Sequence, residues 1–370
     1  MAVDTNVLKE LEKLAQRSKV FVSMPYVRGL TPTVMEQEGR FVRVQTDEGI
    51  ERRHGVFNLN EAALSVMDHG TLYGDGAFEG ILISNSRLFV FREHIKRWWR
   101  SAETMKIRMP YSPAELAYEI VKLVRESGFG AHESAYLRPV VTRGFGNLGI
   151  NPAKCVAPTI FVISSTITLY PPERYETGIE LTVARTTRRP GRRFLDPNVK
   201  SCNYLNNIYA LLETAGRTLE TLMLTADGFV AEATADNLFL VRKNEGWETD
   251  PSRVTLETPV RDYCLVGITR NLVMQQARAE GYQVLERADM LPSDLLTENR
   301  EVFMTGTGCG MMPIIALDGC PIGDGTPGPV TKKLLTRIRD RMRDKDYGLS
   351  IDATEAETQA YLEAPLVVEP

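Results

Sequence analysis

Lys200 is the lone cation at the heart of DPNVKSCNYLNNIYALLETAG, residues 196–216; none follows it from Ser201 to Gly216. It stands between a proline-bearing loop and a helix-like run, with Asn203, Tyr204, Asn206, Asn207 and Tyr209 close behind. An ammonium that opens a helix beside an apolar face can be desolvated, which turns a lysine from a surface charge toward imine chemistry. A second candidate is Glu232 in GFVAEATADNLFLV, on a strand after the Asp227-Gly228 turn, among Ala231, Ala233, Thr234 and Ala235. A carboxylate in so apolar a strand is costly unless paired. An edge-strand glutamate facing water is the other reading.

A lysine that forms an imine implies an aldehyde cofactor with an electron sink, and pyridoxal 5'-phosphate is the usual one. Such a cofactor asks for an acid partner at its ring nitrogen, donors for its phosphate, and cover on each ring face. Glu232 suits the first need. For the phosphate, VGITRN (266–271) opens a helix expected over 268–281, so the amides of Ile268 and Thr269 would point at an anion. TGTGCG (305–310) reads as a backbone nest after the strand EVFM. Arg97, in the helical EHIKRWW, can add a charge-assisted contact, or be an ordinary helix-surface arginine.

The rest of the chain must position these groups. Its 370 residues suffice for two domains, and 43% hydrophobic with 25% charged residues fits a soluble globular protein. A net charge of −4 gives no general attraction to nucleic acid or anionic membranes, and no apolar run approaches the ~20 residues that span a bilayer. The polar, amphipathic N-terminus lacks a signal-peptide core, so the expectation is a cytoplasmic protein with no nucleic-acid or membrane partner. Five scattered cysteines without CxxC, and His54, His69, His94 and His132 without ligand spacing, point to no disulfide framework and no metal.

TLYGDGAFEGILISNSRLFVF (71–91) reads as two strands joined by a turn at 84–86. REHIKRWWRSAETMKI reads as a helix, as does SPAELAYEIVKLVRESGFG, with Ser112 as N-cap, Pro113 first and Gly128 as stop. Strands follow in SAYLRPVVTRG, PTIFVISSTITLY, IELTVART, the hairpin LMLTADGFVAEA, NLFLVR and EVFMTG. ITRNLVMQQARAEG and GPVTKKLLTRIRDRMRDK are the later helices. Without regular βαβ alternation the class is α+β. GFGNLG (144–149) has dinucleotide spacing, but Pro152 and Pro158 deny the helix that such a fingerprint needs. The expected divisions are an extension over 1–45, a smaller domain over 46–170, a linker over 171–178, a larger domain over 179–349 and a tail over 350–370.

Several stretches together resemble the class IV aminotransferases, and within them branched-chain amino acid aminotransferases: MDHGTLYGDGAFEGI (67–81), FREHIKR (91–97), AYLRPVV (135–141), VKSCNYLNN (199–207), VAEATADNLF (230–239), GITR (267–270), TGTG (305–308) and GPVTKKL (328–334). The resemblance implies a two-domain fold-type IV enzyme, with a smaller N-terminal α/β domain and a larger, pseudo-barrel-like C-terminal one. It implies pyridoxal 5'-phosphate, transfer between L-branched-chain amino acids and 2-oxoglutarate, and a homodimer or higher homo-oligomer. Lys200 would be the imine-forming and proton-carrying lysine, Glu232 the nitrogen partner, and Tyr204 the hydrogen-bond partner of the phenolic oxygen. Arg97, Gly267, Ile268, Thr269 and Thr307 would take the phosphate, with Leu265 under the ring. Tyr136 and the amides of Thr307 and Gly308 would meet the α-carboxylate. Tyr73, Phe78 and Arg138 would line the side-chain pocket, Arg138 meeting a distal carboxylate. Alternatively, Arg138 is a strand-end arginine paired with Glu133 or another acid.

The chain departs from the branched-chain pattern at Cys309 and Gly310, where Ala and Glu are usual, and in the four-residue spacing from Lys200 to Tyr204. A D-amino-acid transaminase or an aminodeoxychorismate lyase shares the lysine and the YGDG stretch. A non-catalytic binding protein on the same scaffold is the reading outside enzymes.

Overall fold

The computed structural model describes residues 5–45, 49–129 and 133–369; His132 lies outside them. The chain forms two compact units. The first comprises Met1–Ile167, Lys200–Asn203 and Lys345–Leu366, and the second the remainder. No helix among the described residues is long and apolar enough to cross a membrane.

The first unit is built on a nine-stranded sheet. Its order runs Gly348–Ser350, Arg87–Phe89, Ile81–Ser84, Ala135–Thr142, Thr159–Ser165, Lys19–Pro25, Glu51–Asn58, Val42–Gln45, with Gly76–Phe78 also paired to Ala135–Thr142. Alternation along each strand divides its side chains between two cores. Phe21, Leu137, Val141 and Ile160 join one cluster, packed with helices Phe91–Thr104 and Pro113–Ser127; Val20, Val22, Met24 and Phe57 join another with Phe145. Helix Pro113–Ser127 forms where expected, because its apolar residues Leu116, Ile120, Leu123 and Val124 share one face. Ser112 and Glu115 close a reciprocal capping box, and Gly128 stops the helix at φ 66°. The hairpin turn contracts to Asn85-Ser86, both at positive φ, which suits a two-residue connection.

Two segments carry more structure than their polarity suggests. Within the span read as an extension, Lys19–Pro25 is an interior strand, paired on both sides and nearly wholly buried. Turn formers just beyond it hid that strand. Where the span read as the larger domain meets the span read as a tail, Gly348–Ser350 pairs with Arg87–Phe89, and helix Glu355–Glu363 follows within the tail. Leu349, Ile351, Ala353, Tyr361 and Leu362 pack against the first cluster.

The second unit has its own nine-stranded sheet, in the order Val230–Ala233, Glu220–Leu224, Ile179–Arg188, Gly310–Leu317, Arg300–Gly306, Asn237–Lys243, Val254–Pro259, Gln283–Arg287, with Cys320–Pro321 added on Gly310–Leu317. Parallel and antiparallel pairs mix, as the α+β reading requires. Helices Ile268–Ala279 and Pro329–Arg343 pack against each other, and Leu205–Thr214 lies against Ile179–Arg188. The unit begins at Thr168, just ahead of the expected linker, in which Arg174–Thr177 makes one helical turn. No helix follows the GFGNLG stretch directly; Pro152–Lys154 is a single 3-10 turn.

Candidate functional site

In the first unit, Lys200 does not open a helix. Its carbonyl accepts from Phe78 N at 2.9 Å, and Cys202 N donates to the Gly76 carbonyl at 2.8 Å. Ser201 bridges Ala77 between them. With its backbone spent on pairing with Gly76–Phe78, the segment stays extended, and the helix begins only at Leu205. The half-buried Lys200 amine thereby sits 4.7 Å from the centre of the Phe78 ring.

Phe78 also carries Arg138, whose guanidinium lies 4.6 Å from its centre and 5.6 Å from that of Tyr136. Tyr136 and Arg138 are two apart on strand Ala135–Thr142 and so share a face. Glu133 pairs with Arg17 instead, and among the described residues the buried Nε of Arg138 has no hydrogen-bond partner. Gly80 makes room for this group, since a Cβ there would fall 1.7 Å from the Tyr136 hydroxyl. Tyr73 is placed differently: it donates to the Leu148 carbonyl and packs edge-on against His69.

Behind Phe78 lies a buried ion cluster. Arg97 Nε and Nη2 donate to the two Glu79 oxygens at 2.7 and 2.8 Å, and His94 Nδ1 lies 2.7 Å from Glu79 Oε2. All three side chains are almost wholly buried. Burial pushes the Glu79 carboxyl up, but Arg97 and His94 more than offset it and hold the group well below the usual carboxylate range. Burial likewise lowers His94. Arg97 is therefore a core residue, not a helix-surface one.

The second unit assembles another group. Glu232 is 4% exposed, in an interior position rather than facing water. Its Oε1 accepts from Arg189 Nε at 2.6 Å; its Oε2 accepts from Leu265 N at 3.1 Å and Asn237 Nδ2 at 3.2 Å. Asn237 Nδ2 also donates to the Leu265 carbonyl at 2.8 Å. Burial works against the Arg189 charge, yet Glu232 outweighs it and raises the guanidinium above its ordinary value, helped by nearby Tyr204. Tyr204 itself precedes the helix Leu205–Thr214.

Gly267 caps helix Ile268–Ala279 without a side-chain hydrogen bond, so the first amides, those of Ile268 and Thr269, are not satisfied by a capping side chain. A Cβ at Gly267 would lie 2.1 Å from Asn237 Oδ1, which ties this turn to the Glu232 support. Thr307 and Gly308 occupy the tip between strands Arg300–Gly306 and Gly310–Leu317, both half-buried. Cys309 Sγ donates to Asp236 Oδ1 at 3.3 Å and anchors that tip.

Sequence reasoning missed Glu79, Gly80, Arg189 and Asn237. Glu79 carries the signal that singled out Glu232, a lone acid in an apolar run, here GAFEGILI. Arg189 lies in a run of arginines that marks none of them.

An uncapped helix start, a paired buried carboxylate and a lysine held by its backbone are the donor types that fit pyridoxal phosphate. Residues 76–317 match the model of the amino-transferase class IV family. A putative branched-chain-amino-acid aminotransferase of Methanocaldococcus jannaschii is 38% identical over 76% of this chain and 91% of its own. A D-alanine aminotransferase of Bacillus licheniformis is 31% identical over 77% and 94%. Among solved structures, a T.th. branched-chain amino acid aminotransferase complexed with N-(5'-phosphopyridoxyl)-L-glutamate aligns with TM-score 0.69 and 30% identity, over 79% of this chain and 94% of that one.

The Glu79 cluster sets a pH test. Glu79→Gln leaves Arg97 without its counter-charge, a loss of about 3–5 kcal/mol for a broken buried pair. A carboxyl held low in the folded state stabilises it above the unfolded value of 4.5, and that contribution fades as pH falls below it. The stability gap between wild type and Glu79→Gln in urea unfolding is therefore expected to be full at pH 7 and to shrink below about pH 4.5. A gap that does not change with pH would show that the Glu79 charge is not what stabilises the cluster.

Proposed function

The chain belongs to the class IV aminotransferases, and from that premise we propose that it moves amino groups between L-branched-chain amino acids and 2-oxoglutarate, giving branched 2-oxo acids and L-glutamate. When bound, pyridoxal 5'-phosphate supplies the electron sink for this exchange. Lys200 binds it through its amine and carries the proton to and from the substrate Cα. Glu232, oriented by Arg189, Asn237 and the Leu265 amide, holds a proton at the ring nitrogen. Arg97, Thr307 and the helix start at Gly267, Ile268 and Thr269 take the phosphate. Leu265 covers a ring face, and Tyr204 meets the phenolic oxygen. Tyr136, with the amides of Thr307 and Gly308, takes the α-carboxylate, and Tyr73 and Phe78 border the side chain.

The observation that carries the substrate reading is Arg138, a cation with a buried unpartnered Nε set against the rings of Phe78 and Tyr136. Aromatic rings accept a branched aliphatic chain, and a guanidinium without a carboxylate accepts the distal carboxylate of glutamate. The similarity to a D-alanine aminotransferase supports a second reading, a D-amino-acid transaminase on the same residues. A homodimer is part of the proposal. Helix Leu205–Thr214 leaves Leu205, Ile208, Tyr209 and Leu212 exposed, an apolar face that suits a second copy.

Three measurements check these points. Light scattering is expected to give twice the 41.5 kDa chain mass, and a single-chain mass would remove the dimer. Lys200→Ala is expected to lower turnover by about a hundred- to ten-thousandfold or more, the range of a positioned acid–base. It should also lose the visible absorbance of the cofactor-loaded protein; wild-type turnover with an unchanged spectrum would reassign the lysine. The deciding experiment is kcat/KM for both half-reactions in Arg138→Ala. Glutamate and 2-oxoglutarate should lose about 2–5 kcal/mol of transition-state binding, the scale of a broken buried charge pair. Leucine and 4-methyl-2-oxopentanoate should change far less. Equal losses would make Arg138 structural, and a wild type that prefers D-alanine would favour the second reading.

A further inference from the structure

An irregularity in the second sheet leads directly to the Glu232 group. Strands Ile179–Arg188 and Glu220–Leu224 run parallel, with Leu181 opposite Glu220 and Val183 opposite Leu222, and meet again at Arg188 opposite Leu224. One strand thus takes five steps, Val183 to Arg188, where its neighbour takes two, Leu222 to Leu224. The extra residues bulge out of the ladder, and a bulge re-aims the side chains that follow it. Here the pairing resumes through Arg189, whose amide donates to the Leu224 carbonyl at 2.8 Å. Arg189 is the residue whose Nε reaches Glu232 at 2.6 Å, and Glu232 itself stands opposite Met223.

Amides that leave the ladder need other acceptors. Glu213, near the end of helix Leu205–Thr214, supplies them with both of its oxygens. Its Oε1 accepts from Arg185 N and from Thr186 N at 2.8 Å, and its Oε2 from Thr187 N at 3.0 Å and Thr186 Oγ1 at 2.9 Å. Burial pushes the Glu213 carboxyl up, but the amides of Thr187 and Thr186 more than offset that and hold it at about 2, so it stays ionised at pH 7. The same helix face meets the bulge twice more. Asn206 Nδ2 donates to the Arg188 carbonyl at 2.9 Å, and Ala210 packs with Ala184 and Met223. Residues 206, 210 and 213 recur at helical spacing, so one face carries all three.

We infer that Glu213 is a positioning residue: by holding the bulge at 185–187 it aims Arg189 at Glu232, and so fixes the carboxylate that serves the ring nitrogen of the cofactor. Only that last step rests on the reading of Glu232 as nitrogen partner; the hold on Arg189 does not. In Glu213→Gln an amide group would turn its own N–H toward backbone N–H donors, and a buried or half-buried donor without an acceptor is costly. The bulge would relax to find other acceptors, and the exit direction of Arg189 would change with it.

The test is the exchange of arginine Nε–H protons with water in the cofactor-loaded full chain, read by NMR, with Arg189→Lys assigning the Arg189 signal. In Glu213→Gln the Arg189 Nε–H is expected to exchange about tenfold or more faster, the scale of a lost charge-assisted hydrogen bond. The Nε–H of Arg287, bonded to Asp289 at the opposite edge of the sheet, is the control and keeps its rate. An unchanged Arg189 rate, or equal acceleration of both signals, overturns the proposal. Thr186→Val, which removes one hydroxyl bond to Glu213, should act in the same direction by about threefold and serves if Glu213→Gln does not fold. A second measurement compares the affinity of the cofactor-free full chain for pyridoxal 5'-phosphate and for 1-deazapyridoxal 5'-phosphate, which has carbon in place of the ring nitrogen. Glu213→Gln should lower the preference for the natural cofactor by about tenfold, and should lower it no further once Arg189→Ala is in place. Equal weakening of both cofactors, or losses that add, overturns the positioning role. A wild type without preference overturns the reading of Glu232, and the Arg189 exchange rate then still decides whether Glu213 holds Arg189.

Discussion

Glu79 cannot remain ionised in the interior of the first unit unless something compensates it, and the surrounding structure follows from that requirement. Arg97 meets both of its oxygens and His94 meets one, so the residue just after strand Gly76–Phe78 is fastened to helix Phe91–Thr104. The neighbouring residue, Phe78, is fixed by the same fastening. Its amide then donates to the Lys200 carbonyl, and its ring lies beside both the Lys200 amine and the Arg138 guanidinium. A lysine in a loop would be free to wander; here it is held through its backbone by a strand that a buried ion pair anchors.

Glu232 in the second unit solves the same problem with different means. Arg189 supplies the charge, while the Leu265 amide and the Asn237 amide group fix the orientation. Asn237 reaches further, because its Oδ1 leaves no space for a Cβ at Gly267. The carboxylate and the start of helix Ile268–Ala279 are thus set by one side chain. A glycine at that turn is required by close approach, not by an unusual backbone angle, since its φ is −70°.

The regular elements were legible where local signals agree with tertiary packing. Ser112, Pro113 and Gly128 mark a helix that buries an apolar face, and Asp227-Gly228 marks a hairpin that places Glu232 opposite Met223. Legibility failed where a segment's structure is set by partners far along the chain. Lys19–Pro25 is a strand because Thr159–Ser165 and Glu51–Asn58 flank it, and Lys200–Cys202 stays extended because Gly76–Phe78 takes its hydrogen bonds. Lys200 and Glu232 stood out in the sequence because each is an isolated charge among apolar or neutral residues. Their supports did not, because Arg189 and Asn237 look like any other arginine and asparagine until the fold brings them to Glu232.

The departures at Cys309 and Gly310 have a local physical cause. Cys309 is buried, and burial together with Asp236 pushes its thiol well above the ordinary value, so it stays protonated and can donate to Asp236. Gly306, at the other side of the tip, also lies against Asp236: a Cβ there would fall 1.8 Å from Oδ1. Gly310 sits at φ 65°, where a residue with a Cβ is strained, and a Cβ would press on Met342 at 3.3 Å. A glutamate at this position, usual in the branched-chain pattern, would carry that backbone strain and displace the end of Met342. The two departures therefore belong together: the thiol fastens the tip to Asp236, and the glycine lets the chain turn back into strand Gly310–Leu317. Thr307 and Gly308 lie on the tip that this sulfur–carboxylate hydrogen bond fastens to Asp236.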